Sequence, residues 1–252
     1  MMSPLTMKQN RERGFTLLEL LIVISIIAIL SIALVFMLNP AETLKKSRDA
    51  QRISDLKTVK TALGIMLTAS TTPSLDNFAL AASPICLTST TPAGASTAAT
   101  AAKISYSAPV VCTTVPATVG SDAAGTFGAV NAWCRSVASA NAGKVDGSGW
   151  IPVNLKALTG GTPISAFPVD PVNTVSATTP ASTDLVYRYS CQNGTSGTAA
   201  SSKPAYVFEI DAALESNAYT SDDDKRAKDG GDNANLYETG NSLNLLPTGT
   251  DF

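Results

Sequence analysis

From Phe15 to Leu38 the chain runs for 24 consecutive positions with a single charge, Glu19. A helix needs about 20 apolar residues to cross the hydrocarbon core of a bilayer, so this stretch can span one. A helix that is apolar all round has to be covered, by lipid or by protein. That fixes the first element of the chain and leaves Glu19 as its anomaly. A carboxylate inside a membrane is costly and needs a partner, usually a cation. Lys8, Arg11, Glu12 and Arg13 precede the run, and Glu42, Lys45, Lys46, Arg48 and Asp49 follow it. With Lys and Arg on both sides, the positive-inside rule says little. The short leader favours an orientation with the N-terminus inside.

Three readings compete for this segment. A secretory signal peptide has an apolar region of roughly 7–15 residues and ends at a small-x-small site. Ser31-Ile32-Ala33 fits that site, but cutting there leaves Leu34–Leu38 as an apolar new terminus. A plain membrane anchor gives Glu19 no purpose. The third reading cuts between Gly14 and Phe15 and keeps the apolar run. It creates an amine four positions from Glu19, which supplies the missing cation.

In its order of features, "GFTLLELLIVISIIAIL" after a basic leader resembles the prepilin signature of type IV pilins and type II secretion pseudopilins. The resemblance covers residues 8–38. It implies that a prepilin peptidase cuts after Gly14 at the cytoplasmic face and methylates the Phe15 amine. It also implies that Glu19 meets the amine of a neighbouring subunit and sets register in a filament; pairing with its own N-terminus is the other arrangement open to it. The partners so implied are copies of the chain, other pilin-like subunits, the peptidase/methyltransferase, the inner-membrane assembly platform and the membrane. The location implied is the cytoplasmic membrane, single-pass with the N-terminus inside, then a periplasmic or extracellular filament.

Beyond the apolar run, Asn39-Pro40 ends or kinks the helix, because proline lacks the amide and clashes with the preceding turn. Alternatively Asn39 caps a fresh helix with Pro40 in its first turn. Either way residues 38–41 are a hinge. Leu44, Ile53, Leu56, Val59, Leu63 and Met66 then recur at helical spacing, to about Thr68. Lys45, Arg48, Asp49, Arg52, Asp55 and Lys57 lie between them and read as a solvated face. "STTPS" at 70–74 stops the helix.

The remainder is rich in Ser, Thr, Ala and Gly, with a low-complexity stretch within 75–102. "KISYSAPVVC" (103–112), "LVYRYSC" (185–191) and "AYVFEI" (205–210) alternate as strands do. Leu185, Tyr187 and Tyr189 fall on one face, as do Tyr206, Phe208 and Ile210. "FGAVNAWCRSVA" (127–138) reads as a short helix, and 149–173 as an ordered, proline-rich loop with a brief strand. The expected class is α+β: a long helix, half transmembrane and half amphipathic, packed on a small antiparallel sheet. The resemblance implies the pilin-type roll and the divisions 1–14 (leader), 15–38 (membrane and polymerisation helix), 39–70 (amphipathic half) and 71–252 (soluble domain).

The catalytic inventory is close to empty. With no histidine in the chain, Ser-His-Asp and Cys-His nucleophile arrangements and imidazole metal sites are excluded. No phosphate-binding or nucleophile-elbow motif is present, and we expect no enzyme. A net charge of −2 without a downstream basic block argues against nucleic acid as a partner. Cys86, Cys112, Cys134 and Cys191 suit two disulfides in an exported domain, with three connectivities open, or one bridge and buried free thiols. In major pseudopilins a C-terminal loop binds calcium. The loose likeness of "FPVDPVN", "YRY" and the acidic tail makes Asp222, Asp223, Asp224, Asp229 and Asp232 the corresponding candidates, although the spacing is not that of an EF-hand and Lys225, Arg226 and Lys228 dilute the charge. Apart from this calcium no cofactor is expected. Asn193-Gly194-Thr195 matches a glycosylation sequon, a pattern too short to carry weight. The alternatives are a minor or tip pilin or adhesin and, from another class, a membrane-anchored hydrolase or binding domain.

Overall fold

A computed structural model of the chain describes residues 14–76, 86, 104–110, 134–135, 137–176, 180–193 and 206–246. They fall into two units, residues 1–44 and 45–252.

In the first unit α1 spans Leu17–Leu38, 22 residues, none of them buried. At 1.5 Å per residue this is about 33 Å, enough for the hydrocarbon core of a bilayer. The hydroxyls of Ser25 and Ser31 donate back to the carbonyls of Leu21 and Ile27, both at 2.7 Å. Such bonds satisfy a hydroxyl inside an apolar medium without any partner outside the helix. α1 stops at Asn39, whose φ of 38° is left-handed, a conformation asparagine tolerates better than most residues. The next helix, α2, spans Pro40–Ala69, with proline at the first position, where its missing amide costs nothing. The Asn39 carbonyl accepts from the amides of Glu42 and Thr43 in that first turn.

The second unit contains α2 from Lys45 onward and a five-stranded sheet in the order β2-β1-β3-β4-β5. The strands are β1 (Ile104–Tyr106), β2 (Cys134–Arg135), β3 (Tyr187–Gln192), β4 (Val207–Ala212) and β5 (Tyr237–Gly240). β1, β3, β4 and β5 pair antiparallel, and β2 adds to the edge of β1 in parallel. The class is therefore α+β, a long N-terminal helical segment with a small antiparallel sheet. Two local expectations fail. Cys134 and Arg135 are strand, not helix; the rest of 127–133 lies outside the described residues. Residues 149–173 hold no strand, only a 3-10 turn at Leu155–Ala157 and a single bridge between Asp146 and Asn154.

Alternation sorts the sheet into two faces. Tyr187, Tyr189 and Cys191 of β3 lie opposite Ala212, Ile210 and Phe208 of β4. With Leu56, Val59, Leu63 and Met66 of α2 they form the main core. Trp150 closes it from the 149–173 loop, fully buried, its indole donating to the Pro168 carbonyl at 2.8 Å. The opposite face is polar yet buried, carrying Arg188, Ser190, Glu209, Asp211 and Glu238. Cys86 and Cys191 form a disulfide that ties residue 86 to β3. Cys112 lies outside the described residues, and of Cys134 only the backbone is described.

Candidate processing site and carboxylate clusters

Thr16 is the N-cap of α1. Its side chain accepts from the Glu19 amide at 3.2 Å, while Glu19 Oε2 accepts from both the amide and the hydroxyl of Thr16 at 2.9 Å. This reciprocal arrangement is the capping box that Thr-x-x-Glu encodes, satisfying amides that the first turn leaves without helical partners. Glu19 therefore has donors within its own chain before any neighbour is present. Gly14 and Phe15 lie outside the helix, and Phe15 is 86% exposed. The Gly14–Phe15 bond is thus accessible and non-helical, as a protease substrate must be. Cleavage there would place the new amine one residue before the N-cap and four before the carboxylate.

Comparison with protein families matches the prokaryotic N-terminal methylation motif to residues 9–35. The chain carries the N-terminal signature of type IV pilins and pseudopilins, and its apolar α1 fits a membrane anchor of that type. Comparisons with curated proteins and with solved structures find no match.

In the soluble unit the structure brings together charges that the helical pattern alone would place in solvent. Asp49 and Arg52 are fully buried. Arg52 bonds Asp170 through Nε and Nη2, and its Nη1 reaches Asp49 at 2.7 Å and Glu215 at 2.8 Å. Arg48 adds a two-pronged contact to Glu215 at 2.6 and 2.7 Å. Burial opposes the charge on Arg52, but the bonds to Asp170, Glu215 and Asp49 outweigh it and raise its pKa. Asp49 also accepts the amides of Glu215 and Ser216. Asp55, another residue of the supposed wet face, accepts from the Tyr187 hydroxyl at 2.9 Å.

The five C-terminal aspartates do not make one donor set. Asp223 is held by Lys225 and Lys228, which bring its pKa down to about 2. Asp224 is gripped by Arg226 at 2.9 and 3.0 Å and is likewise lowered. Asp229 accepts the amides of Gly231 and Glu238 at 2.9 and 2.8 Å, with burial raising its pKa. Asp222 ends the short helical turn Ala218–Asp222. Asp232 alone joins a convergent cluster, with Glu209 of β4 and Glu238 of β5. Neither glutamate stands out in the sequence, because each is one polar residue in an alternating strand. As a calcium site on the loop aspartates alone, this arrangement does not fit.

Proposed function

We propose that the chain is the precursor of a filament subunit, cut after Gly14, N-methylated on Phe15 and assembled through α1 into a type IV pilus or a type II secretion pseudopilus. The methylation motif at 9–35, with its cut site exposed just outside α1, carries this reading. Before assembly α1 sits in the cytoplasmic membrane with the N-terminus inside, within reach of the peptidase and the assembly platform. Apolar faces of α1 then pack on those of its copies, and Glu19 of an incoming subunit pairs with the Phe15 amine of the one before it. Subunits related by a screw operation make head-to-tail contacts that do not close, giving an open helical polymer. The chain is a substrate and a building unit, without chemistry of its own. Mass spectrometry of the N-terminus in a host with the peptidase tests the reading. Loss of residues 1–14 with one added methyl is expected. An intact terminus, or cleavage near Ala33, overturns it.

A further inference from the structure

We propose that Asn193 selects the partner of Cys86: through Asp76 it docks residue 86 beside Cys191 before the sulfurs join, which makes it a positioning residue for that bridge.

The bridge spans 105 positions, the widest separation that the four cysteines allow. In an unfolded chain the chance of contact falls with about the three-halves power of loop length. Cys112, only 26 positions from Cys86, would therefore meet it roughly eightfold more often than Cys191 does. Loop closure alone selects a different pair, so contacts of the fold have to bring Cys86 to Cys191.

These contacts flank Cys191 on both sides. Tyr189, Cys191 and Asn193 follow one another at the two-residue spacing of a strand face. The Tyr189 hydroxyl donates to the Leu75 carbonyl at 2.8 Å. Asn193 Oδ1 accepts the Leu75 amide at 2.8 Å, and its Nδ2 donates to Asp76 Oδ1 at 2.7 Å. The other oxygen of that carboxylate, Asp76 Oδ2, accepts the Cys86 amide at 2.9 Å. A relay thus runs from Asn193 through Asp76 to Cys86, and none of its bonds needs the disulfide. Leu75 and Asp76 are 0% and 2% exposed, so water does not compete for these bonds. Asn193 opens the Asn-Gly-Thr sequon, yet both ends of its amide are engaged within the fold. The inference does not depend on the N-terminal reading.

With glutathione disulfide as the oxidant, the bridge forms in two exchanges. The thiolate of Cys86 or Cys191 attacks a sulfur of glutathione disulfide and releases one glutathione thiolate. The second cysteine thiolate then displaces the other glutathione. The protein gives up two electrons and two thiol protons, which leave with two molecules of glutathione. The first exchange is independent of Asn193. The second is intramolecular, and its rate follows how often the two cysteines lie side by side.

The test refolds the full chain, reduced in guanidinium, into detergent micelles containing a glutathione redox buffer. Samples are alkylated at intervals and their bridges mapped by mass spectrometry of non-reducing digests. In the wild type Cys191 should be the main partner of Cys86. Asn193→Asp keeps the acceptor for Leu75 but sets a second carboxylate against Asp76. It should slow this bridge about tenfold, the factor that one hydrogen bond to a charged group supports, and Cys86–Cys112 should appear in its place. The swap Asn193→Asp/Asp76→Asn rebuilds the relay with donor and acceptor exchanged between the two positions, and should restore wild-type rate and pairing. Leu246→Ala, in the smaller core that includes Tyr106, lowers stability without touching the relay and should pair as the wild type does. Wild-type rate and pairing in Asn193→Asp overturns the proposal, as does failure of the swap to restore them. Mispairing in Leu246→Ala as extensive as in Asn193→Asp also overturns it, since pairing then follows stability alone.

Discussion

Arg52 on α2 grips Asp170, 118 residues further on, through bonds of 2.6 and 3.0 Å, with neither side chain exposed. Asp170 in turn accepts the amides of Val172 and Asn173, so the same carboxylate shapes the turn of the "FPVDPVN" loop. One guanidinium thus fastens helix to loop. Removing one partner of a buried pair leaves the other uncompensated, at a cost of about 3–5 kcal/mol. Arg52→Met should lower stability by that amount in guanidinium unfolding of the full chain in detergent. Arg52→Lys should recover only part of it, because an ammonium cannot make the two-pronged contact. Lys57→Ala, on the exposed side of α2, should change little.

Glu215 gives the same network a pH signature. Its bonds to Arg48, then to Arg52, bring its pKa from an ordinary 4.5 to about 2. A carboxylate with a depressed folded-state pKa stabilises the fold fully above the unfolded value, and loses that contribution as pH falls through the folded one. The Glu215 contribution should therefore be complete above about pH 4.5 and fade between 4.5 and 2. Melting temperatures measured from pH 6 to pH 2 should fall less steeply in that window for Glu215→Gln than for the wild type. Equal slopes would show that the ion pairs seen here do not govern acid stability.

The Cys86–Cys191 bridge joins positions 105 residues apart. Its closure restrains the unfolded chain, and for a loop of that length the entropic contribution is about 4–5 kcal/mol. In the fold residue 86 is also held by its amide, which donates to Asp76 Oδ2 at 2.9 Å. That contact remains when the bridge is removed. A Cys86→Ser/Cys191→Ser double variant should therefore fold, but with stability lower by about 2–5 kcal/mol in guanidinium titration. A reducing agent should move the wild type toward the variant.

How far the sequence foretells these contacts depends on whether their signal is local. The candidate processing site is fully local: Gly14, Phe15, Thr16 and Glu19 are neighbours on one chain, and the capping box follows from Thr-x-x-Glu. The core stripe of α2 is also local, and its register holds a clue to the buried charges. Asp49, Arg52, Leu56, Val59, Leu63 and Met66 advance by threes and fours, so the two charges share the phase of the core. A rule that places charge in water hides them, since their partners Asp170 and Glu215 lie far away in sequence. The far face of β3 and β4 misleads in the same way. Alternation separates Glu209 and Asp211 from Phe208 and Ile210, but does not reveal that Leu245 and Leu246 cover the polar side. β2 is two residues pairing in parallel at an edge, too short for any periodicity to show.

At the other end of the chain, the capping box separates two jobs for Glu19. As a helix cap the side chain needs only an acceptor oxygen, which glutamine also supplies. As the partner of a neighbour's amine it needs its charge. Glu19→Ala and Glu19→Gln should both be cut after Gly14, because the bond cleaved lies outside the helix. If charge sets register, the two should assemble equally poorly, with sheared-filament yield reduced at least about tenfold, equivalent to roughly 1.4 kcal/mol. Thr16→Val removes the hydroxyl of the cap but leaves the carboxylate charged, so its yield should stay near that of the wild type. Electron microscopy and immunoblots of sheared filaments read out all three. Wild-type yield from Glu19→Gln, with loss in Glu19→Ala and Thr16→Val, would make Glu19 a helix cap and remove the inter-subunit charge pair.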